Sequence, residues 1–267
     1  MAAARSSRAS GQVAAYVLHR YDWSESSLIL DLFTRDLGRV AVAAKGAKRP
    51  YSQWRSVLLP FQRVNATFGQ IGGAESNAEV LSLRGAEWAG GAAMLTGEAL
   101  FSGFYLNELL MKLLARSDPH PALFDAYAQT LPSLAAAQDR EREATLRAFE
   151  LVLLRHTGVL PDLTRITATQ QPVAADADHT LQAQAVVILP PGADEPGVPG
   201  RVMVELQSAL DDGRLDAVQA ACAGELPALK SMLRAVLHYH LGSSPLRTRG
   251  VMLDLQKFAN LGKTARP

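Results

Sequence analysis

The hydrophobic pattern of the chain changes period once, near Trp88, and that change restricts the fold to a β part followed by a helical part. Before it, apolar or β-branched runs are separated by turn-forming clusters: Val13–Arg20, Ser27–Thr34, Arg39–Lys45, Val57–Phe68 and Val80–Glu87. Asp36, Leu37 and Gly38 form a turn between the second and third runs. Five strands closing on themselves suggest a small barrel of OB type, which periodicity alone does not separate from an SH3-like barrel. Beyond Trp88 the spacing becomes three and four. Leu106, Leu109, Leu110, Leu113 and Leu114 share one helix face, as do Leu146, Phe149 and Leu153. Further helices are predicted over Ala122–Leu134, Val202–Leu210, Leu226–Leu241 and Val251–Leu261, with a stop at Gly158 before Pro161.

A chain of 267 residues that is 48% hydrophobic can support two cores, so two domains are expected. The expectation is an α+β multidomain protein. A disordered tail over 1–11 precedes a five-stranded OB-type β-barrel over 12–87 and an all-α domain over 88–267, with a small irregular/β insertion at about 162–200. Within the insertion a short strand at Ala185–Leu189 leads into an exposed loop tip at 190–200, too rich in Pro and Gly for a regular element. Gly69 to Gly73 lacks the lysine of a phosphate loop and reads as a hairpin turn. The longest apolar stretch, Gly90–Ala115, is interrupted by Glu98, Glu108 and Lys112, each costly in a bilayer, so a buried helix is expected rather than a membrane span. The single cysteine, Cys222, excludes an intrachain disulfide, and no apolar segment follows the basic start, so a cytoplasmic setting is expected.

Charge is divided unevenly. Residues 1–87 hold 11 Lys/Arg and 7 Asp/Glu, a balance of +4, whereas residues 88–267 hold 16 and 19, a balance of −3. Much of the basic excess lies in one segment with Arg35, Arg39, Lys45, Lys48, Arg49 and Arg55, opposed by Asp36 and interleaved with Tyr51 and Trp54. Binding single-stranded nucleic acid requires a cationic track for phosphates and aromatic faces for bases, and both occur here. Gly46 would let the backbone approach a phosphate. The bland alternative is a solvated rim with Trp54 tucked against the barrel. No groove-reading element such as a helix-turn-helix is present in the pattern, so sequence-specific readout is not expected.

The run from Val17 to Thr34 (VLHRYDWSESSLILDLFT), continued by Gly38-Arg39-Val40 and Ala44-Lys45-Gly46-Ala47-Lys48-Arg49, closely resembles the RecO family. The resemblance continues through Pro60-Phe61, Tyr105-Leu106-Asn107-Glu108-Leu109, Leu123-Phe124, the Phe149–Leu154 helix with Gly158, and Pro245-Leu246-Arg247-Thr248-Arg249. It implies an OB-fold, a helical C-terminal domain, binding to single- and double-stranded DNA, and annealing of complementary strands without ATP. It also implies two protein partners, RecR and the acidic, apolar C-terminal tail of single-stranded DNA-binding protein, which together help RecA load. Arg39, Lys45, Lys48 and Arg49 fall on the matched segments. Arg35, Arg55 and Arg63 are nearby cations without a motif behind them, and Trp23, between two strands, is expected to pack.

Many relatives carry a zinc site beginning Pro-x-Leu-x-x-Cys-x-x-Cys, and here Ile166 and Thr169 stand at the cysteine positions. A metal-free, loosely structured version of that subregion is expected, with no cofactor. An acidic tail needs an apolar pocket rimmed by cations, for which Arg147, Lys230 and Arg234 are the candidates in the helical part. His238 and His240, two apart on a helix, make a poor metal pair. Glu108 and Glu150 would be the carboxylates of a hydrolase, but packing roles are expected for both and no catalytic residue is assigned. The alternative to a DNA repair mediator is an OB-fold RNA or tRNA adaptor using the same basic segment.

Overall fold

The structure, a computed structural model, describes residues 11–69, 80–91, 94–242, 246–248 and 250–251. Residues 1–10 of the expected tail, most of the Gly69 to Gly73 turn, most of the final predicted helix, and Pro245 and Arg249 lie outside the described residues. The chain divides into two compact units, one over Met1–Ala92 with Ala115–Pro121, the other over Ala93–Leu114 with Ala122–Pro267.

The first unit is a closed barrel of β1 (Val13–Asp22), β2 (Leu28–Thr34), β3 (Gly38–Ala44), β4 (Gln62–Gly69) and β5 (Val80–Gly91), in the order β1-β2-β3-β5-β4. All neighbours are antiparallel except β3 and β5, which run parallel. That closure is the OB-type arrangement left open by periodicity. Alternation with period two fills the interior: Ala15 and Val17, Leu28, Leu30 and Leu32, Val40, Val42 and Ala44, Val64 and Ala66, and Leu83 form one buried cluster. Each large member contributes about 1.5–3 kcal/mol, and a one-residue slip would turn a whole set outward. Between β2 and β3 the Thr34 hydroxyl donates to the Gly38 carbonyl (2.8 Å) and accepts from the Leu37 amide (3.0 Å). Gly38 is required there: its φ is +69°, and a Cβ would lie 2.1 Å from the Asp118 carbonyl oxygen.

The fourth strand corrects the sequence expectation. Val57 does not begin a strand but ends a one-turn helix, α1 (Trp54–Val57), and β4 starts only at Gln62. Pro60 cannot donate to a ladder, and Phe61 adopts φ +69° while its amide bonds the Val17 carbonyl (3.0 Å). Fully buried Leu58, with Trp54 and Val57, instead packs against the barrel core. A short apolar run carries no period of its own, so it does not distinguish strand from turn.

The second unit holds α2 (Gly97–Leu113), α3 (Pro121–Ala136), α4 (Asp139–His156), α5 (Gly200–Asp211), α6 (Leu215–Cys222) and α7 (Leu226–Leu241). From Ala144 to Leu154, α4 is buried at nearly every position, so it is the central helix, in contact with α2, α6 and α7. Its end coincides with Gly158 at φ +73°. The eight-residue α6 was not expected; at little more than two turns it is too short for a helical period to stand out in the sequence. No described helix is long and apolar enough to cross a membrane.

Between α4 and α5 lies a three-stranded antiparallel sheet of β6 (Asp178–Gln182), β7 (Ala185–Ile188) and β8 (Val198–Pro199), in the order β7-β6-β8. The exposed loop tip therefore ends before Val198, whose strand pairs with His179, and Gly200 already begins α5. The segment before the sheet is likewise not loose. The Thr167 amide donates to the Val186 carbonyl (3.1 Å), the Val186 amide to the Thr167 hydroxyl (2.9 Å), and the Val173 amide to the Thr164 carbonyl (2.9 Å).

Candidate nucleic-acid interface

At one end of the barrel the β1–β2 loop is fastened to the segment after β3. Within the loop the Trp23 and Ser24 amides both reach the Ser27 carbonyl (3.2 and 3.3 Å), and the Ser27 amide donates to the Ser24 hydroxyl oxygen (3.1 Å). Across the gap, the Lys48 amide donates to the Ser26 carbonyl (2.9 Å) and the Gly46 amide to the Ser27 hydroxyl oxygen (3.3 Å). The Lys48 ammonium completes the clasp, donating to the Ser24 carbonyl (3.0 Å) and pairing with Asp22 (3.0 Å). Beside these bonds lies an open groove of about 510 Å³ lined by Trp23, Ser24, Ser26, Ser27, Lys45, Gly46 and Arg49.

The six expected barrel cations do not act as one set. Lys45 and Arg49 are exposed and line the groove. Lys48 points into the loop clasp. Arg55 is exposed on α1, and Tyr51 nearby is almost wholly solvated. Arg39 stands at the opposite end of β3 from Lys45, roughly 20 Å away along the strand. It is engaged by the buried Asp31 (3.3 Å), which also meets Arg116 (3.6 Å) and accepts from the Tyr21 hydroxyl (3.4 Å). Burial and the Asp31 carboxylate raise the Tyr21 pKa. Arg35 shares the Arg39 end and pairs with Asp36 (3.7 Å). Gly46 serves by its φ of +76°, since a Cβ there would meet only the flexible Arg49 side chain, at 3.5 Å.

Trp23 reverses its expectation. Its side chain is not packed between strands but 54% exposed on the groove wall. A register shift in β1 between Val17 and His19 precedes it. Trp23 itself lies beyond the end of β1, in the loop, where no strand alternation sets its facing. Trp54, by contrast, packs on the barrel core.

In the helical unit, Arg147 is buried and its guanidinium lies 2.6 Å from Oε1 of fully buried Glu150. The Tyr105 hydroxyl donates to the same oxygen (2.6 Å). Burial raises the Glu150 pKa despite Arg147 and Tyr105, and raises that of Tyr105 well above its usual value, with Glu150 adding to the effect. Burial beside this pair also pushes the Cys222 thiol up to about 12, so it is not a nucleophile at neutral pH. Lys230 pairs with Glu143 (2.7 Å) at the surface, and Arg234 is exposed one turn further along α7. Glu108 accepts from the amides of Arg247 (2.8 Å) and Thr248 (3.0 Å) and from the Thr248 hydroxyl, and Lys112 lies 3.9 Å away. Burial opposes its charge, but together these donors outweigh it and lower its pKa. It anchors a distant segment of the chain.

The family zinc site does not fit these residues. Ile166 and Thr169 supply no thiolate, and the turn is closed by backbone bonds from the Ile166 amide to Gln171 (2.9 Å) and from the Gln170 amide to Ile166 (2.8 Å). Among the described residues no group of three or more His, Cys, Asp or Glu is placed to hold a metal.

An OB-type barrel bearing a cationic and aromatic groove, continued by a helical unit around a central buried helix, defines the class of this protein. Residues 10–82 match the family Recombination protein O N terminal, and residues 94–250 match Recombination protein O C terminal. The chain is 51% identical over 248 residues to the DNA repair protein RecO of Polaromonas sp. (strain JS666), covering 92% of this chain and 97% of that one. It is 50% identical over 243 residues to that of Verminephrobacter eiseniae and 51% over 251 residues to that of Variovorax paradoxus, covering 91% of this chain and 95% of each relative. The chain belongs to the RecO family, and its role lies in DNA repair.

Proposed function

We propose that the chain is a DNA-binding recombination mediator that works by binding alone, with no covalent chemistry. It anneals complementary strands and helps RecA load onto single-stranded DNA coated by single-stranded DNA-binding protein, in the cytoplasm at the nucleoid. The observation that carries this reading is the groove in which Lys45 and Arg49 stand beside an exposed tryptophan. Phosphates attract the two cations without reference to sequence, and such a groove suits an annealing factor, which must hold any strand. Single- and double-stranded DNA are the ligands. RecR and the acidic tail of single-stranded DNA-binding protein are the protein partners, with exposed Arg234 and surface Lys230 the cations offered to the tail. Arg147 reaches a partner only if its pair with Glu150 opens.

The test is binding of labelled oligothymidine and labelled tail peptide to the full chain at low salt, with tRNA as competitor. Oligothymidine should bind and resist the tRNA; failure to bind, or ready displacement by tRNA, would overturn the reading in favour of an RNA adaptor. Lys45→Glu with Arg49→Glu should lower oligonucleotide affinity at least about ten-fold while leaving peptide binding intact, and Arg234→Glu should weaken peptide binding while leaving oligonucleotide binding intact.

A further inference from the structure

We propose that the barrel groove takes one unpaired nucleotide, its base laid on Trp23 and its phosphate between Lys45 and Arg49, so that this site selects single-stranded over duplex DNA. The proposal rests on the groove being the DNA track and adds to it the form of DNA accepted. The groove volume of about 510 Å³ lies within the roughly 300–1,000 Å³ usual for small-molecule sites. Its wall is a tryptophan kept 54% exposed in a loop held by the hydrogen bonds at Ser24, Ser26 and Ser27. A large aromatic in a fixed backbone, beside cations, is a platform prepared before the ligand arrives, which lowers the ordering cost of binding. In a duplex each base face is already covered by its neighbours, so only an unstacked base can lie on the indole. The serine hydroxyls are short and tolerate any base edge, consistent with a site that does not read sequence.

The same geometry separates Lys48 from its neighbours. Its ammonium is held by the Ser24 carbonyl and Asp22, both at 3.0 Å, and its amide by the Ser26 carbonyl at 2.9 Å. Lys48 is therefore a positioning residue that fixes the Trp23 loop, whereas Lys45 and Arg49 are the phosphate contacts.

The experiment measures the affinity of the full chain for labelled oligothymidine and for a blunt-ended hairpin duplex, across a salt series. Trp23→Ala should weaken oligothymidine binding by roughly ten-fold or more, Trp23→Phe should recover most of it, and duplex affinity should change by less than about two-fold. Equal losses on both DNAs, or no loss on either, would overturn the proposal. Lys45→Glu with Arg49→Glu separates the two levels. If that variant binds both DNAs normally, the groove is not the track; if it weakens binding while Trp23→Ala does not, only the stacking platform is wrong. Lys48→Met should lower oligothymidine affinity without changing the salt slope, whereas Lys45→Met should flatten the slope by about 0.7. A slope change of equal size in Lys48→Met would show that Lys48 contacts phosphate.

Discussion

Lys45 and Arg49 on the barrel and Arg147 in the helical unit all looked like candidate binding cations in the sequence, and their surroundings now set them apart. The first two stand in solvent on the wall of a groove. Arg147 is buried, 2.6 Å from a fully buried carboxylate that also holds the Tyr105 hydroxyl. An exposed cation keeps its hydration until an anion displaces it, so its charge is available to a ligand and its removal scarcely affects folding. A buried one has already exchanged water for its partner, and its removal strands a carboxylate in a medium that solvates it poorly. Clustered arginines and lysines therefore identify a binding surface only once burial is known.

The largest effect is expected at the buried pair: Arg147→Ala should destabilise the helical unit by about 3–5 kcal/mol in denaturant unfolding. Arg147→Met combined with Glu150→Leu should restore most of that loss, since the stranded charge is gone; no recovery would mean that packing rather than charge sets the cost. Next, Lys45→Glu with Arg49→Glu should lower oligonucleotide affinity at least about ten-fold at low salt with an unchanged melting temperature. A stability loss like that of Arg147→Ala would erase the distinction between the two regions.

Glu108 is an acid that is buried yet charged. Its pKa is lowered in the folded chain, so its contribution is present above the unfolded carboxylate pKa and is lost as pH falls through the folded value. Glu108→Gln should cost about 1–2 kcal/mol in the docking of Leu246–Thr248, read as faster hydrogen exchange of the Arg247 and Thr248 amides. The wild type should show the same loss of protection on acidification, once the slower intrinsic exchange at lower pH is divided out. Glu25, exposed on the Trp23 loop, should have a smaller influence: Glu25→Gln is expected to raise oligonucleotide affinity about two-fold. The smallest effect is expected from a chelator, which should leave the melting temperature unchanged; stoichiometric zinc in the purified chain would contradict the reading of Ile166 and Thr169.

Much of the barrel was legible because its apolar runs are separated by turn-forming clusters, and the segment that misled, Val57 to Phe61, is apolar because Val57 and Leu58 pack on the barrel core from a helical turn and its end. Of the groove, Lys45, Gly46 and Arg49 were legible as a basic run. Trp23 was not, because it lies in the β1–β2 loop, where no strand period sets its facing, and that loop is held by hydrogen bonds to a segment some twenty residues away. Arg39 was misleading for a related reason. Period two sets it on one face of β3, but only the register with β2 brings Asp31 beside it.

By itself the sequence determined the order of a β part and a helical part, the family, and the lack of thiolates at the zinc positions, because these depend on local period, residue identity and covalent composition. Tertiary structure alone decided how the barrel closes, which cations share a groove and which are neutralised. Those outcomes depend on strand register, burial and contacts between residues far apart in the chain, and none of these is encoded in the spacing of neighbours.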